Sequence, residues 1–236
     1  MMVLGLIPAR AGSSELKLKN IRPVNGRPLI EYTIEAALAS KIDRVIVSTD
    51  SEEIAEIARA AGAEVPFLRP GKYASNSATA MSVVQHCLEW LKREKGRLPE
   101  AVCYLQPTSP LRTTDLIDKA IDLLDDETDS VLSLVPVRQH PYYMFEMGPE
   151  GRMKEFLKIG NKPERRQDLP TLFSISGTIF LSKTSYLLGC SGEVINYDNF
   201  KPLIVGVREA VDIDTVFDLQ IAECLMSMKG QGELAG

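Results

Sequence analysis

The sequence has no excess of positive charge and no cysteine motif. Its formal net charge is −5 at pH 7, which argues against nucleic acid as the main partner because a phosphate backbone requires clustered cations. The cysteines at positions 87, 103, 190 and 224 lack CxxC spacing, which disfavours a zinc site or a disulfide framework. We expect them to be reduced, mostly buried residues of a cytoplasmic protein.

Long hydrophobic runs and two nucleotide-binding fingerprints are also missing. No apolar stretch reaches membrane-spanning length, and we expect no signal peptide because no charged segment precedes the first apolar run. GxGxxG and GxxxxGK[ST] are absent after that run, which weakens a dinucleotide-binding interpretation and excludes an ordinary P-loop. With 236 residues, 44% of them hydrophobic, the chain suits one domain spanning 1–236.

Apolar periodicity predicts alternating strands and helices. Such a series implies a three-layer α/β fold with a mostly parallel sheet and helices on both faces. Asp50 is predicted to cap the second helix, and residues 138–170 break the pattern as a small extended excursion. The predicted strands cover 3–7, 44–48, 101–105, 130–137, 172–181 and 202–207, and the predicted helices about 28–40, 51–61, 79–95, 114–125 and 215–228. In the last helix, Phe217, Ile221, Cys224 and Leu225 are expected to face inward.

The loop after the first strand is suited to binding an anion. It combines small residues, whose main-chain N–H groups can approach an anion closely, with cations that neutralise it. In an open α/β sheet, ligands bind outside the carboxyl ends of the strands, where the loop after Leu105 also falls. The small residues of this loop are Ala9, Ala11, Gly12, Ser13 and Ser14, and its cations are Arg10, Lys17 and Lys19.

Two acidic residues before the last helix are candidate Mg²⁺ ligands. Asp212 and Asp214 flank Ile213, and alternate side chains of an extended segment project to the same side. Mg²⁺ favours one or two carboxylates together with phosphate oxygens. The alternative is that Asp214 caps the helix that follows.

Several motifs, in order along the chain, resemble those of one enzyme family. They cover nearly the whole sequence, and one of them is seven residues long. They are IPAR (7–10), GS (12–13), KNI (19–21), GRPLI (26–30), STD (48–50), RP (69–70), QPTSPLR (106–112), HP (140–141), RQDLP (166–170) and DIDT (212–215). Together they resemble the acylneuraminate cytidylyltransferases, the CMP-sialic acid synthetases.

The resemblance implies a reaction and a set of nucleotide-binding residues. In that family the anomeric hydroxyl of a nine-carbon keto-sugar acid attacks the α-phosphorus of CTP and expels pyrophosphate, with Mg²⁺ as the cofactor. By resemblance, Arg10 and Lys19 are catalytic cations at the triphosphate, and Asp212 and Asp214 are catalytic and hold the metal. The residues that the resemblance places at the nucleotide are Ala9, Arg10, Gly12, Ser13, Lys19, Asn20, Arg69, Ala78 and Ala80.

The resemblance also implies a sugar site and a homodimer. Residues of the excursion would complete the pocket of the neighbouring subunit, with no nucleic-acid or membrane partner. Arg112 can hold the loop after Leu105 in place. The residues that the resemblance places at the sugar acid are Gln106, Tyr143, Arg166, Ser176 and Phe180.

The sequence departs from the family pattern at both substrates. In the first loop, Ser14, Glu15 and Lys17 replace the usual Lys, Gly and Pro. Other departures are Asn76 for aspartate, Tyr143 for lysine, Ser176 for asparagine and Phe180 for tyrosine. The changes on the sugar side favour another acid, of the legionaminic or pseudaminic type. A sister enzyme for 3-deoxy-manno-octulosonic acid or another nucleotide, and a catalytically impaired binding relative, are the alternatives.

Overall fold

The structure, a computed structural model, is built around a six-stranded sheet. It describes residues 1–12, 16, 18–158, 160, 163, 165–190 and 192–228. The strands of the molecule are β1 (Val3–Pro8), β2 (Pro23–Val24), β3 (Arg27–Pro28), β4 (Arg44–Ser48), β5 (Ala101–Tyr104), β6 (Ser130–Pro136), β7 (Phe145–Met147), β8 (Met153–Glu155), β9 (Phe173–Lys183) and β10 (Phe200–Ile204). The helices are α1 (Leu29–Leu38), α2 (Glu52–Ala60), α3 (Ala80–Lys95), α4 (Thr114–Leu123), α5 (Thr184–Gly189) and α6 (Val216–Met228).

The main sheet has the order β10-β6-β9-β5-β1-β4. The pairs β1–β4, β1–β5 and β10–β6 are parallel, whereas β9 lies antiparallel between β5 and β6. The predicted three-layer, mostly parallel fold is therefore confirmed, with β9 as the exception. Because β9 runs in the opposite direction, its first half lies at the edge where β5 ends.

Two hydrophobic cores cover the two faces of the sheet. One contains the inward sides of α1, α2 and α4, and the other the inward sides of α3 and α5. A third, smaller core joins α6 to the segment around the β2–β3 hairpin through Val24, Leu29 and Ile213. This third core brings the DIDT segment, 212–215, back to the start of the chain.

Two helix details differ from the sequence predictions. Ser51, and not Asp50, caps α2, because its hydroxyl accepts the N–H of Ile54 at 3.4 Å. In α6 the buried residues are Leu219 and Ala222. The expected inward face is therefore wrong at two positions, since Phe217 and Cys224 are exposed.

The four cysteines are free thiols in different surroundings. Cys87 and Cys103 are buried, and burial raises the pKa of each thiol to about 12. Cys190 is half-buried and Cys224 is exposed. Of the helices in the described residues, none is long and apolar enough to cross a membrane.

Candidate active site

A polar cleft of about 420 Å³ opens at the edge where β1 and β5 end. The first loop, the segment 69–80, the loop after β5 and the DIDT segment all contribute to it. The cleft residues named in the sequence predictions are Arg10, Gly12, Lys19, Asn20, Arg69, Ala78, Ala80, Gln106, Asp212 and Asp214. The fold thus brings into one cleft most of the residues predicted to bind the nucleotide, both residues predicted to bind the metal, and Gln106, which was predicted to bind the sugar acid.

Main-chain contacts fix the first loop at the mouth of β1. The N–H of Ala9 donates to Ser48 O at 2.9 Å, which extends the β1–β4 pairing. The N–H of Ala11 donates to Asp50 Oδ1 at 2.8 Å, and Asn20 Nδ2 donates to Arg10 O at 3.0 Å. Asp50 therefore holds the loop in place, which is the role it has instead of capping α2.

Both predicted phosphate cations have protein acceptors in this structure. Arg10 Nη1 donates to Asn76 Oδ1 at 2.8 Å and to Ser75 O at 3.1 Å. Lys19 Nζ pairs with Asp214 Oδ1 at 2.9 Å. Each cation is thus oriented over the cleft by residues distant in the sequence.

The DIDT segment is anchored at Ile213, between its two carboxylates, and at Thr215, directly after them. Ile213 is fully buried, and its N–H donates to Thr108 O at 2.8 Å. Thr215 and Asp218 form a reciprocal cap at the start of α6, with Thr215 N donating to Asp218 Oδ2 at 2.7 Å and Asp218 N to Thr215 Oγ1 at 3.3 Å. The alternative in which Asp214 is the helix cap is therefore wrong.

The two carboxylates of this segment fit a divalent cation. Asp212 Oδ1 is buried and has no hydrogen-bond partner in the described part of the chain, and burial is the main cause that raises the pKa of Asp212. A buried polar atom without a partner is costly unless a ligand satisfies it. Within the described ranges, no group of three or more His, Cys, Asp or Glu side chains could hold a metal. Asp212 and Asp214 therefore suit a cation such as Mg²⁺ that takes its other ligands from phosphates and water.

A buried arginine also lines the cleft. Arg69 is 5% exposed, and its Nε atom has no acceptor among the described residues. Burial lowers the pKa of the Arg69 guanidinium, while the carboxylate of Asp50 and the hydroxyl of Tyr104 act in the opposite direction. Burial also raises the pKa of Tyr104 to about 12. Tyr104 and Arg69 therefore offer a neutral and a cationic hydrogen-bond donor to a ligand in the cleft.

A second buried arginine fixes the loop after β5. Arg112 donates through Nη2 to Gln106 O at 2.7 Å, through Nε to Thr178 O at 2.6 Å, and through Nη1 to Thr33 Oγ1 at 2.9 Å. Burial lowers the pKa of Arg112 to about 10. Since the guanidinium ties this loop to β9 and α1, the prediction that Arg112 holds the loop is confirmed.

Comparison with known proteins identifies the family. The family model described as Cytidylyltransferase matches residues 4–151. The chain belongs to this cytidylyltransferase family. The motifs resembled those of the acylneuraminate cytidylyltransferases, and this prediction is confirmed at the level of the family.

Similar curated proteins match over almost their full length. The chain is 32% identical over 236 residues to a CMP-N,N'-diacetyllegionaminic acid synthase of Legionella pneumophila, covering 97% of both chains. It is 31% identical over 227 residues to a pseudaminic acid cytidylyltransferase of Campylobacter jejuni, covering 95% of this chain and 96% of the relative.

A solved structure supports the fold of this cytidylyltransferase. CMP:2-keto-3-deoxy-manno-octonic acid synthetase complexed with CTP superposes with a TM-score of 0.70 and 16% identity, covering 97% of this chain and 100% of that chain. At this identity the likeness concerns the fold alone.

Some predicted residues of the cytidylyltransferase lie away from the cleft. Ala9 is fully buried with its N–H bonded to Ser48. Ser176 is buried, and its hydroxyl donates to Ser133 Oγ at 2.8 Å. Phe180 does not line the cleft, and its ring centroid is 6.4 Å from that of Tyr104.

Other predictions fall on the excursion or on undescribed residues. Tyr143 is exposed at the start of the excursion, 138–170, so in one chain it does not complete the cleft. Ser13, Ser14, Glu15 and Lys17 lie outside the described residues, as does the side chain of Arg166. Their roles remain predictions.

The sequence patterns did not indicate every lining residue. Tyr73 and Tyr104 line the cleft without having been predicted to do so. Thr79 lies within the stretch 78–80 that the resemblance places at the nucleotide, and Asn76 is identified in the sequence only as a departure from the family pattern. A signal existed for Tyr104, which ends an apolar strand, but no sequence pattern pointed to Tyr73 as a cleft residue.

Proposed function

We propose that this cytidylyltransferase joins CTP to the anomeric hydroxyl of a nine-carbon keto-sugar acid, forming a CMP-sugar and pyrophosphate. The observation that carries the proposal is the meeting of two cations, Arg10 and Lys19, with two carboxylates, Asp212 and Asp214, in one cleft. Attack on the α-phosphorus spreads negative charge over the phosphoryl oxygens. Cations positioned in advance stabilise that charge without a further reorganisation cost.

Three groups of polar residues in the cleft each fit one part of the substrates. Arg69, with its buried Nε lacking an acceptor in the described chain, would donate to the pyrimidine. Arg10 and Lys19 would turn from their protein acceptors to the triphosphate. Asp212 and Asp214 would hold Mg²⁺, which neutralises phosphate charge and lowers the pKa of a bound hydroxyl.

The sugar class that we propose is legionaminic or pseudaminic acid. Two relatives at 31% and 32% identity carry these acids in their names. Gln106 is the predicted sugar residue that lines the cleft. A site built to hydrogen-bond particular substituents discriminates strongly between acids. Tyr143, Ser176 and Phe180 differ from the residues that the sialate enzymes usually have at these positions.

We also propose that the enzyme is a homodimer joined through the excursion. The β7–β8 hairpin and its flanks expose many large apolar side chains, a pattern that marks interaction surfaces. In the dimer, each subunit would cover this surface of the other. Tyr143 and Arg166 of each subunit would then approach the cleft of the other subunit. The exposed side chains are Tyr143, Met144, Phe145, Met147, Met153, Phe156 and Leu157.

A pyrophosphate-release panel tests the reaction. The four nucleoside triphosphates are crossed with N-acetylneuraminate, legionaminic-type, pseudaminic-type and 3-deoxy-manno-octulosonic acids, with and without Mg²⁺. We expect release only with CTP and Mg²⁺, and fastest with a legionaminic- or pseudaminic-type acid. Fastest turnover of N-acetylneuraminate would contradict the sugar class, and no release with any pair would favour a non-catalytic nucleotide-binding relative.

The substitution Asp214→Asn tests the metal assignment. It keeps the size of the side chain and leaves the cap formed by Thr215 and Asp218 in place, so the fold should persist. We expect kcat to fall by about a hundredfold or more, since a metal-held phosphate supplies several kcal/mol of charge stabilisation. Steady-state pyrophosphate release measures the loss, and thermal unfolding checks the fold. The exposed Asp198→Asn is the matched control, and unchanged kcat in Asp214→Asn would refute the assignment.

A further inference from the structure

The side chain of Arg10 connects the two walls of the nucleotide cleft. Its Nη1 atom donates to Asn76 Oδ1 at 2.8 Å and to Ser75 O at 3.1 Å, on the segment that leads into α3. Both Arg10 and Asn76 line the cleft. A nucleotide that enters the cleft must therefore meet this bridge.

The main chain at Arg10 is fixed independently of the bridge. Asn20 Nδ2 donates to Arg10 O at 3.0 Å, and Asp50 accepts the N–H of the next residue, Ala11, at 2.8 Å. The backbone can therefore stay in place while the guanidinium changes its acceptor. Only side-chain torsions have to move.

The two cations of the cleft differ in the charge of their acceptors. Lys19 pairs with a carboxylate, that of Asp214, whereas both acceptors of Arg10 are neutral. A guanidinium gains more from an anionic acceptor than from a neutral one, because two opposite charges then attract each other directly. When a triphosphate replaces Asn76 as the acceptor, Arg10 gains a charged partner and leaves no carboxylate unpaired.

We propose that Asn76 is a positioning residue that orients Arg10 over the cleft in the free enzyme and, because it is uncharged, releases Arg10 to the triphosphate. This inference rests on the proposed function, since it requires that the ligand be CTP. A carboxylate at position 76, where the family pattern has an aspartate, would compete with the triphosphate for Arg10, so the asparagine of this chain leaves Arg10 easier to transfer to CTP. The charge of residue 76 would then set the affinity for CTP without changing the chemical step.

The nearly isosteric substitution Asn76→Asp tests the proposal. We expect the KM for CTP to rise about three- to tenfold, the scale of one charged pair in a partly exposed site, while kcat at saturating CTP stays unchanged. Gly71→Asp is the matched control, because it adds the same charge to the same segment at an exposed residue with nothing within 4 Å of an added Cβ. Its effect on the KM should stay below about twofold because water screens exposed charges.

A double-mutant cycle with Arg10→Gln separates the bridge from a general effect of charge or folding. The quantity compared is kcat/KM for CTP, which can be measured below saturation even in a weak variant. Without the guanidinium, Asn76→Asp should lower kcat/KM by less than about twofold, as expected when the two side chains interact in the enzyme with Arg10 present.

Two results would overturn the inference alone. They are an unchanged KM for CTP in Asn76→Asp, or an equal loss in the wild-type and Arg10→Gln backgrounds, each with a wild-type enzyme that uses CTP. A wild-type protein that releases no pyrophosphate from CTP and shows no thermal shift with CTP would instead refute the proposed function, and the inference with it.

Discussion

Arg112 shows how one buried side chain can organise a site that it does not line. Arg112 is 4% exposed, and its guanidinium donates to Gln106 O, Thr178 O and Thr33 Oγ1. These acceptors belong to three different segments of the chain. The orientation of the loop that carries Gln106 therefore depends on a residue whose role is structural.

Replacing this guanidinium should destabilise the fold. In Arg112→Met the apolar stem stays, but two carbonyl oxygens and a hydroxyl lose their donor. We expect the free energy of unfolding to fall by about 2–4 kcal/mol, because each buried polar group left unpaired costs about 1–3 kcal/mol. Urea unfolding measures the change, with the exposed Arg93→Met as the control at within about 0.5 kcal/mol. Equal stability of Arg112→Met and the wild type would contradict the anchoring role.

The strand β9 is the element that places Gly177 against Gln106, the residue that we propose binds the sugar acid. Its register against β6 shifts between Leu132 and Leu134, and Gly177, close to that shift, has a φ of +75°. A Cβ at position 177 would lie 3.3 Å from Gln106 Oε1. The positive φ therefore favours glycine here, and an added Cβ would also press against the end of the Gln106 side chain.

The substitution Gly177→Ala should affect both stability and the sugar site. We expect the free energy of unfolding to fall by about 1–2 kcal/mol, the cost of a left-handed conformation for a residue with a Cβ. The KM for the sugar acid should rise more than the KM for CTP, because the new methyl group displaces Gln106.

Thermal unfolding and substrate titration of the pyrophosphate assay measure the two effects. Gly189→Ala, at a position with nothing within 4 Å of the added Cβ, is the control and should change the stability by less than about 0.5 kcal/mol. A variant with wild-type stability and wild-type KM values would show that Gly177 is dispensable.

At the scale of the whole molecule, the excursion leaves several large apolar side chains exposed in a single chain. Met147 is 71% exposed and Phe156 is 60% exposed. Each strand of the β7–β8 hairpin is exposed along its full length. Such a surface is costly in water and favours association.

The proposed dimer makes a direct prediction for its surface. We expect sedimentation velocity to give a dimer for the wild type and a shift towards monomer for Met147→Glu, since a buried carboxylate in an apolar interface is strongly unfavourable. Leu188→Glu, at an exposed position of α5, is the control and should remain dimeric. A wild type that is monomeric at all concentrations would contradict the dimer.

The sequence by itself determined the layers and the nucleotide end of the site. Apolar periodicity located the strands and helices of the main sheet, because local burial leaves a regular pattern of side chains. Arg10, Lys19, Asp212 and Asp214 could be named because each lies in a short motif at the end of an apolar strand or before a helix. The convergence of the first loop with the loop after Leu105 followed from the rule that ligands bind where parallel strands end, whereas the place of Asp212 and Asp214 in the same site came from the family resemblance.

The tertiary structure alone decided the contacts that hold these residues. Ser51 and Asp50 are adjacent and both can cap a helix, and only the position of Ala11 assigns Asp50 to the first loop. The antiparallel direction of β9 and the bridge from Arg10 to Asn76 depend on residues more than 60 positions apart. A pattern within one segment carries no record of the partner that folding brings against it, which is why these contacts could not be predicted.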